Sequence, residues 1–314
     1  MEYQMINLVT ITYNLEQHLL RLQAESLQNY CKPCRHWVIV NEEDVDVHGW
    51  YDYIKRYYEH HELYIIPRRY LSNDPLIRTT RGWATQQVLK LLASKIIQDD
   101  YILLDAKNFL IQEFDFHLFD DLIGSGYLEV QEDNAEILEQ DKDFLVRPMA
   151  TKGWNPTINI YADRLGLKEI PKLFLVPGTP FKIDYKTLVD RINLNTIFQD
   201  LLFYKDENDI KEITCPSEFL YYSLVCNDLI QPGINTMKNG SPVFNHTLFP
   251  ESFDEEQKLI SSGYLFNSTQ SILNINENVR MFGLHKRYLE RCGPQHYREI
   301  NYWLSNKGFK FQFT

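Results

Sequence analysis

The sequence predicts an α/β protein built on a mostly parallel sheet with helices on both faces. Three observations carry that expectation. Four short apolar runs in the first 110 residues alternate with helix-period stretches. The runs are almost wholly apolar, as strands buried on both faces are. Polar residues cluster where each run ends.

The elements follow in order. The β-branched run 6–12, Ile6-Asn7-Leu8-Val9-Thr10-Ile11-Thr12, reads as a buried strand. Asn14 is placed to cap a helix carrying Leu15, Leu19, Leu20 and Leu22. Trp37-Val38-Ile39-Val40 is a second strand, and a weaker helix through Tyr51, Ile54 and Tyr58 leads to a third, Leu63-Tyr64-Ile65-Ile66, stopped by Pro67. A helix over 82–97 precedes a fourth strand, Tyr101-Ile102-Leu103-Leu104. This βαβαβαβ order implies right-handed crossovers. Ligands of such sheets bind beyond the carboxyl ends of the strands. The positions to weigh are therefore Thr12, Tyr13 and Asn14, Asn41 and Glu42, Arg68 and Arg69, and Asp105.

Beyond residue 110 the pattern thins. The acidic stretch 129–143 reads as a surface excursion, and Phe144-Leu145-Val146 as a further strand. Pro177-Gly178-Thr179-Pro180 is a rigid turn. A helix opens at Pro216, a strand-like segment ends at Leu284, a basic stretch covers 286–291, and a last helix lies around 297–304. With no repeats and no Gly/Ser linker, one domain over 1–314 is expected, its regular βα half over 1–110 followed by an elaborated second half over 111–314.

Composition narrows the function. A net charge of −11, from 32 basic and 43 acidic residues, argues against a nucleic-acid partner. The 20 Tyr and 18 Phe serve either as core or as stacking surfaces for sugars and bases. No apolar run reaches the roughly 18 residues of a membrane span, and the first residues lack a signal-peptide pattern, so a soluble cytoplasmic protein is expected. Five cysteines suit a reducing compartment. Cys31-Lys32-Pro33-Cys34 reads as a redox or zinc pair, or as two thiols in a turn. The sequons at Asn245 and Asn267 are chance matches without a secretory signal.

The helix opening Arg81-Gly82-Trp83 has an apolar face of Ala84, Val88, Leu91, Leu92 and Ile96. Opposite it lies a stripe of Trp83, Gln87, Lys90 and Ser94, which is either a solvated face or a wall turned to a polar ligand. Arg78 and Arg81 flank the helix start, where free N–H groups favour an anion. Asp105 ends the fourth strand in Leu104-Asp105-Ala106-Lys107-Asn108. There a carboxylate can ligate Mg²⁺ or Mn²⁺, or make a turn. With Pro216 as first helical residue, Glu218 falls third, which suits helix capping, general-base work or contact with an acceptor hydroxyl. His285 is a candidate metal or phosphate contact, and His36 and His246 have weaker contexts. Gly-rich nucleotide loops, GxSxG and HExxH are absent from the sequence.

Together these pieces resemble a family of bacterial and phage proteins, classed as a domain of unknown function within the GT-A (Rossmann-like) nucleotide-diphospho-sugar glycosyltransferase superfamily. The matching elements are the strand Leu8 to Thr12, the Gly82-Trp83…Gln86-Gln87…Lys90-Leu91 helix and Leu103-Leu104-Asp105. Further matches are the 177–180 turn, Ser217-Glu218-Phe219 with Tyr222, and Phe282-Gly283-Leu284-His285. The resemblance implies transfer of a sugar from a nucleotide-diphosphate donor to a hydroxyl of a glycan or small molecule, in carbohydrate biosynthesis. It implies that Thr12, Tyr13 and Asn41 approach base and ribose, and that Arg78, Arg81, Lys90 and Lys107 contact the diphosphate. Trp83, Gln87 and Asn108 complete the donor side, and Glu218 faces the acceptor. Asp105 matches the first acid of the DxD-like motif that holds Mn²⁺ or Mg²⁺, and His285 a late histidine that completes the metal site. The second acid is replaced by Lys107. Since an ammonium cannot ligate a metal, three versions follow: Asp105 with His285 and Asn108 holds the ion, Lys107 supplies part of its charge, or the site is an inactive scaffold that binds carbohydrate or protein. A nucleotidyltransferase would want a Gly-rich, basic loop after the first strand, and Thr12 to Glu16 is neither.

Overall fold

The computed structural model describes residues 5–80, 82–124, 127–129, 154–175, 178–205, 208–231, 245–248, 280–284, 289–290 and 292–313. Strand β1 spans Ile6–Thr12, as its β-branched run predicts. A 3-10 turn, Asn14–Glu16, then leads into α1, Gln17–Tyr30. Asn14 does not act as the cap; its backbone N–H instead donates to Glu42 Oε1 at 2.9 Å, tying the end of the first strand to the loop after the second.

Strand β2, Cys34–Val40, begins three residues before the apolar run, because parallel pairing with β1 from Ile6↔Cys34 onward extends it. Helix α2, Val47–Lys55, is capped by Asp46 and ends before Tyr58, which is buried from a turn. Strand β3 is Glu62–Pro67. Two short helices follow, α3 (Leu76–Thr79) and α4 (Gly82–Leu92), and the expected single helix breaks at Ala93, leaving α5 as Ser94–Ile97. Strand β4, Tyr101–Asp105, turns directly into β5, Asn108–Leu110. Then come β6 (Tyr127–Glu129), α6 (Trp154–Arg164), β7 (Leu173–Leu175), β8 (Phe181–Ile183), α7 (Tyr185–Arg191) and α8 (Ile197–Leu202). The hairpin β9–β10 (Phe203–Lys205, Ile210–Glu212) precedes α9 (Glu218–Val225), β11 (Asn245–Leu248), β12 (Met281–Leu284) and α10 (Pro294–Asn306). The acidic stretch from residue 130, the run 144–146, Asn267 and the basic stretch from residue 286 fall largely outside the described residues.

The main sheet has the order β3-β2-β1-β4-β8, parallel except for the antiparallel edge strand β8. Period-two alternation divides its side chains between two cores. Val9, Ile11 and Leu103 pack against Ala84, Val88 and Leu91 of α4 and against Leu220 and Leu224 of α9. Leu8, Val38, Ile102 and Leu104 pack on the other face against Leu20, Ala24 and Leu27 of α1. Each such leucine contributes on the order of 2 kcal/mol through burial. A third cluster joins Leu19 and Leu22 of α1 to Phe109, Phe282, Trp303 and the C-terminal Phe309, Phe311 and Phe313. A small sheet, β11-β12-β5, grows from the end of β4.

Pairing of Ile11 with Asp105 sets the last residue of β4 beside the end of β1. Asp105 lies in phase with Leu103, so its side chain emerges on the α4 and α9 side of the sheet.

Candidate active site at the end of the fourth strand

Four charged residues meet there in one line. Lys90 Nζ lies 3.2 Å from Asp105 Oδ1 and 2.7 Å from Glu218 Oε1, and Lys107 Nζ pairs with Asp105 Oδ2. The order Lys107–Asp105–Lys90–Glu218 alternates in sign. The outer pair is the more exposed. Side chains of Lys107 and Asp105 are 22% and 28% exposed, while Lys90 is 7% and Glu218 0%. The inner ammonium also sits 4.7 Å from the Phe219 ring centroid, a cation–π contact in a dry setting.

Local structure explains each placement. Lys90 comes from the last full turn of α4, whose apolar face is fixed against β1. Lys107 lies in the turn between β4 and β5, and Asn108 opens β5. Asn108 Oδ1 accepts from the Asp105 N–H at 3.2 Å and from Thr179 Oγ1 at 2.6 Å. Leu284 N donates to the Lys107 carbonyl at 3.1 Å, anchoring the turn to the end of β12. Glu218 is the first residue of α9, not the third: Ser217 is the cap, accepting from Leu220 N at 3.3 Å. The expected capping role is thereby corrected, since its carboxylate is turned to Lys90. Replacing Ser217 with alanine is expected to cost about 1 kcal/mol, read as a lower urea midpoint.

Burial opposes charge on Lys90, but Asp105 and Glu218 outweigh it and hold the ammonium pKa above its ordinary value. Burial also works against the Asp105 carboxylate, yet Lys107 and Lys90 keep it well below the usual carboxylate range. At Glu218 burial prevails over Lys90 and raises the pKa. A raised lysine contributes stability that is complete below its unfolded value of 10.5 and drains away as pH climbs through the higher folded value. Depressed Asp105 contributes above 3.8 and loses its contribution as pH falls, whereas raised Glu218 has the opposite sign in acid. The alkaline limb is thus the clean one. Urea midpoints of wild type should fall above about pH 10.5 more steeply than those of Lys90→Met, and parallel curves would contradict this assignment.

Other sequence candidates resolve differently. Of the stripe, Trp83 is 52% exposed, but Gln87 and Lys90 of α4 and Ser94 of α5 are buried, so it is not a solvated face. Gln87 Nε2 donates to the Trp83 carbonyl at 3.2 Å in its own helix. Asn41 Nδ2 donates to Gly82 O at 2.9 Å, tying β2 to the start of α4, and Arg68 reaches its Oδ1 at 3.4 Å. Thr12 Oγ1 is buried and finds no hydrogen-bond partner among the described residues. Tyr13 is half-buried beside it. Arg81 and His285 lie outside the described residues, as does the side chain of Arg78. Cys34 opens β2 with its Sγ 3.2 Å from His61 Nδ1, and its partner in the motif, Cys31, closes α1. His36 is fully buried and hydrogen-bonded.

The residues described at Asp105 do not fit a divalent cation. Both carboxylate oxygens face ammonium groups, Asn108 Oδ1 is already accepting twice, and the described residues contain no cluster of three His, Cys, Asp or Glu that could hold an ion. Two cavities, of about 770 and 350 Å³, lie beside β3 and the segment after it, where both are lined by Arg69 and Tyr70. Neither is lined by Asp105, Lys90, Lys107 or Glu218.

Comparison with known proteins gives a family of unknown function (DUF6492) that matches residues 7–145, a span holding β1 to β5 and three of the four charged residues. The resemblance to a family of unknown function read from the sequence is thereby shown over this stretch. No curated protein matches the chain. Solved structures similar to it include mouse xyloside xylosyltransferase 1, 8% identical with TM-score 0.46, covering 89% of this chain and 97% of that one. The bifunctional glycosyltransferase WbbM is 10% identical with TM-score 0.45, over 90% of this chain and 46% of the other. The galactosyltransferase LgtC, in complex with donor and acceptor sugar analogues, is 12% identical with TM-score 0.44, over 96% of both. Likenesses of this degree decide nothing about chemistry, which rests on the side chains.

Proposed function

We propose that the protein is a glycosyltransferase of GT-A type, moving a sugar from a nucleotide-diphosphate donor to a hydroxyl of a glycan or small-molecule acceptor. One observation carries this reading: the Lys107–Asp105–Lys90–Glu218 array stands at the carboxyl end of the central parallel strands, where open α/β sheets bind ligands. In the transfer, the bond between the sugar's anomeric carbon and the diphosphate oxygen breaks, and its electron pair leaves with the diphosphate. The acceptor oxygen bonds to the same carbon and gives up its proton.

Lys107, at the solvent end of the array, is the group that meets the departing diphosphate, and an ammonium held in place there needs no reorganisation as charge develops. Asp105 is the fixed anion that orients both lysines. Glu218 has the higher proton affinity of the two carboxylates, and its Oε2 lacks a partner among the described residues. It is the better proton acceptor by affinity, but it is sealed behind Lys90, so proton transfer to it requires that side chain to swing.

A thermal-shift panel of UDP, GDP, ADP and CDP, each with Mn²⁺ or EDTA, tests the reading. Saturating ligand should raise the melting temperature by a few degrees for at least one nucleotide, and persistence of the shift in EDTA supports the lysine version. Silence across the panel would sink the donor site. The self-neutralised array also favours a second reading, a scaffold that binds without transfer. It predicts a nucleotide shift with no turnover of the matching sugar nucleotide.

A further inference from the structure

Behind the β4–β5 turn, on the opposite face of the sheet from Lys90, lies a buried polar side chain that the proposed chemistry leaves unused. Gln23 sits on α1 among buried Leu20, Ala24 and Leu27, itself only 1% exposed. Its Nε2 donates to the carbonyls of both Asp105 and Asn108, each at 2.9 Å, and so grips the two ends of the turn that carries Lys107. This fixes the amide's orientation, because a flipped amide would set its oxygen against two carbonyl oxygens.

The rest of the network then has one direction. Gln23 Oε1 must accept, and it does so from Thr10 Oγ1 at 2.9 Å. The single hydroxyl proton of Thr10 is spent there, so Thr10 Oγ1 accepts from His36 Nε2–H at 3.0 Å. His36 Nδ1 is left to accept from the Tyr58 hydroxyl at 2.6 Å. Thr10, His36 and Tyr58 are all buried, and burial together with His61 holds the His36 pKa at about 3, which keeps the ring neutral as this tautomer requires. Four side chains thus form one donor-to-acceptor series from Tyr58 to the turn. Its members come from β2, β1, α1 and the loop after α2.

We propose that Gln23 is a positioning residue for the Asp105 site, holding the Asp105–Asn108 turn from behind, with Thr10, His36 and Tyr58 fixing the orientation of its amide. The link to donor binding rests on the function proposed above; the link to the turn does not. Gln23 touches no group of the charged array and acts through the backbone that presents Asp105 and Lys107.

Amide hydrogen exchange of the full chain, followed by mass spectrometry on peptides covering residues 105–108, reads this directly without ligand. Gln23→Met should speed exchange there roughly tenfold, as two buried hydrogen bonds are lost, while β2 and β3 stay protected. Thr10→Val, which keeps the volume and removes the hydroxyl, should give a smaller increase confined to the same peptides, and Thr10→Ser should behave as wild type. This pair keeps the test open should Gln23→Met fail to fold. Unchanged exchange in the turn, an increase spread evenly over the chain, or equal effects of Thr10→Ser and Thr10→Val would each overturn the proposal. The nucleotide panel applied to Gln23→Met separates the two readings. Silence in wild type defeats the donor site alone, whereas a full wild-type shift kept by a variant with a loosened turn defeats the positioning role.

Discussion

Lys90→Met is expected to cost about 3–5 kcal/mol of stability, the range for stranding one half of a buried ion pair. Lys90 is the cationic partner of Glu218 among the described residues, and the Glu218 side chain has no exposure, so removing the lysine leaves a buried carboxylate without its ion-pair partner. Asp105 would suffer less, because Lys107 remains on its other oxygen. Urea unfolding measures the effect. Replacing both residues, as Lys90→Met with Glu218→Met, should recover most of the loss, since well-packed apolar groups often match a buried pair. A cost below about 1 kcal/mol for the single variant would mean that the pair behaves as a surface contact.

Lys107→Ala is expected to do the reverse: little to stability and much to chemistry. Its pair with Asp105 is partly exposed, so the stability change should stay within about 1 kcal/mol. Loss of a preorganised cation at a departing diphosphate should lower sugar transfer roughly 100- to 1,000-fold, the scale found when one stabilising donor is removed from a transition-state site. Turnover of the sugar nucleotide whose diphosphate the thermal-shift panel selects is the measurement. Lys107→Arg should restore part of the rate, and an unchanged rate in Lys107→Ala would move leaving-group stabilisation to another residue.

The contrast between the two lysines marks where reading a sequence stops. Lys107 is visible at once, two residues after Asp105 in the place of a second acid. Lys90 stands out too, on a stripe with Trp83 and Gln87, but that spacing alone leaves a solvated face and a ligand wall equally open. What separates them is Glu218, 128 residues away, which reads as a capping glutamate until α9 is seen to be capped by Ser217 and to lean on α4. Gln23 carried a fainter signal. It occupies the apolar stripe of α1 with Leu20, Ala24 and Leu27, and a polar residue at such a position needs an internal partner. Its partners, two carbonyls at a strand end, have no sequence signature.

The sequence by itself determined the β1 to β4 elements, their parallel direction and the placing of Asp105 at a strand's carboxyl end. Period and apolar content are local properties, and they suffice to assign each element and its buried side. Only the tertiary structure decided what Asp105 meets. There it is the anion between two ammoniums, with Gln23 behind its turn. The physical reason is that ion pairs and buried hydrogen bonds depend on ångström distances between segments far apart in the chain, and no residue pattern encodes those until the helices have packed against the sheet.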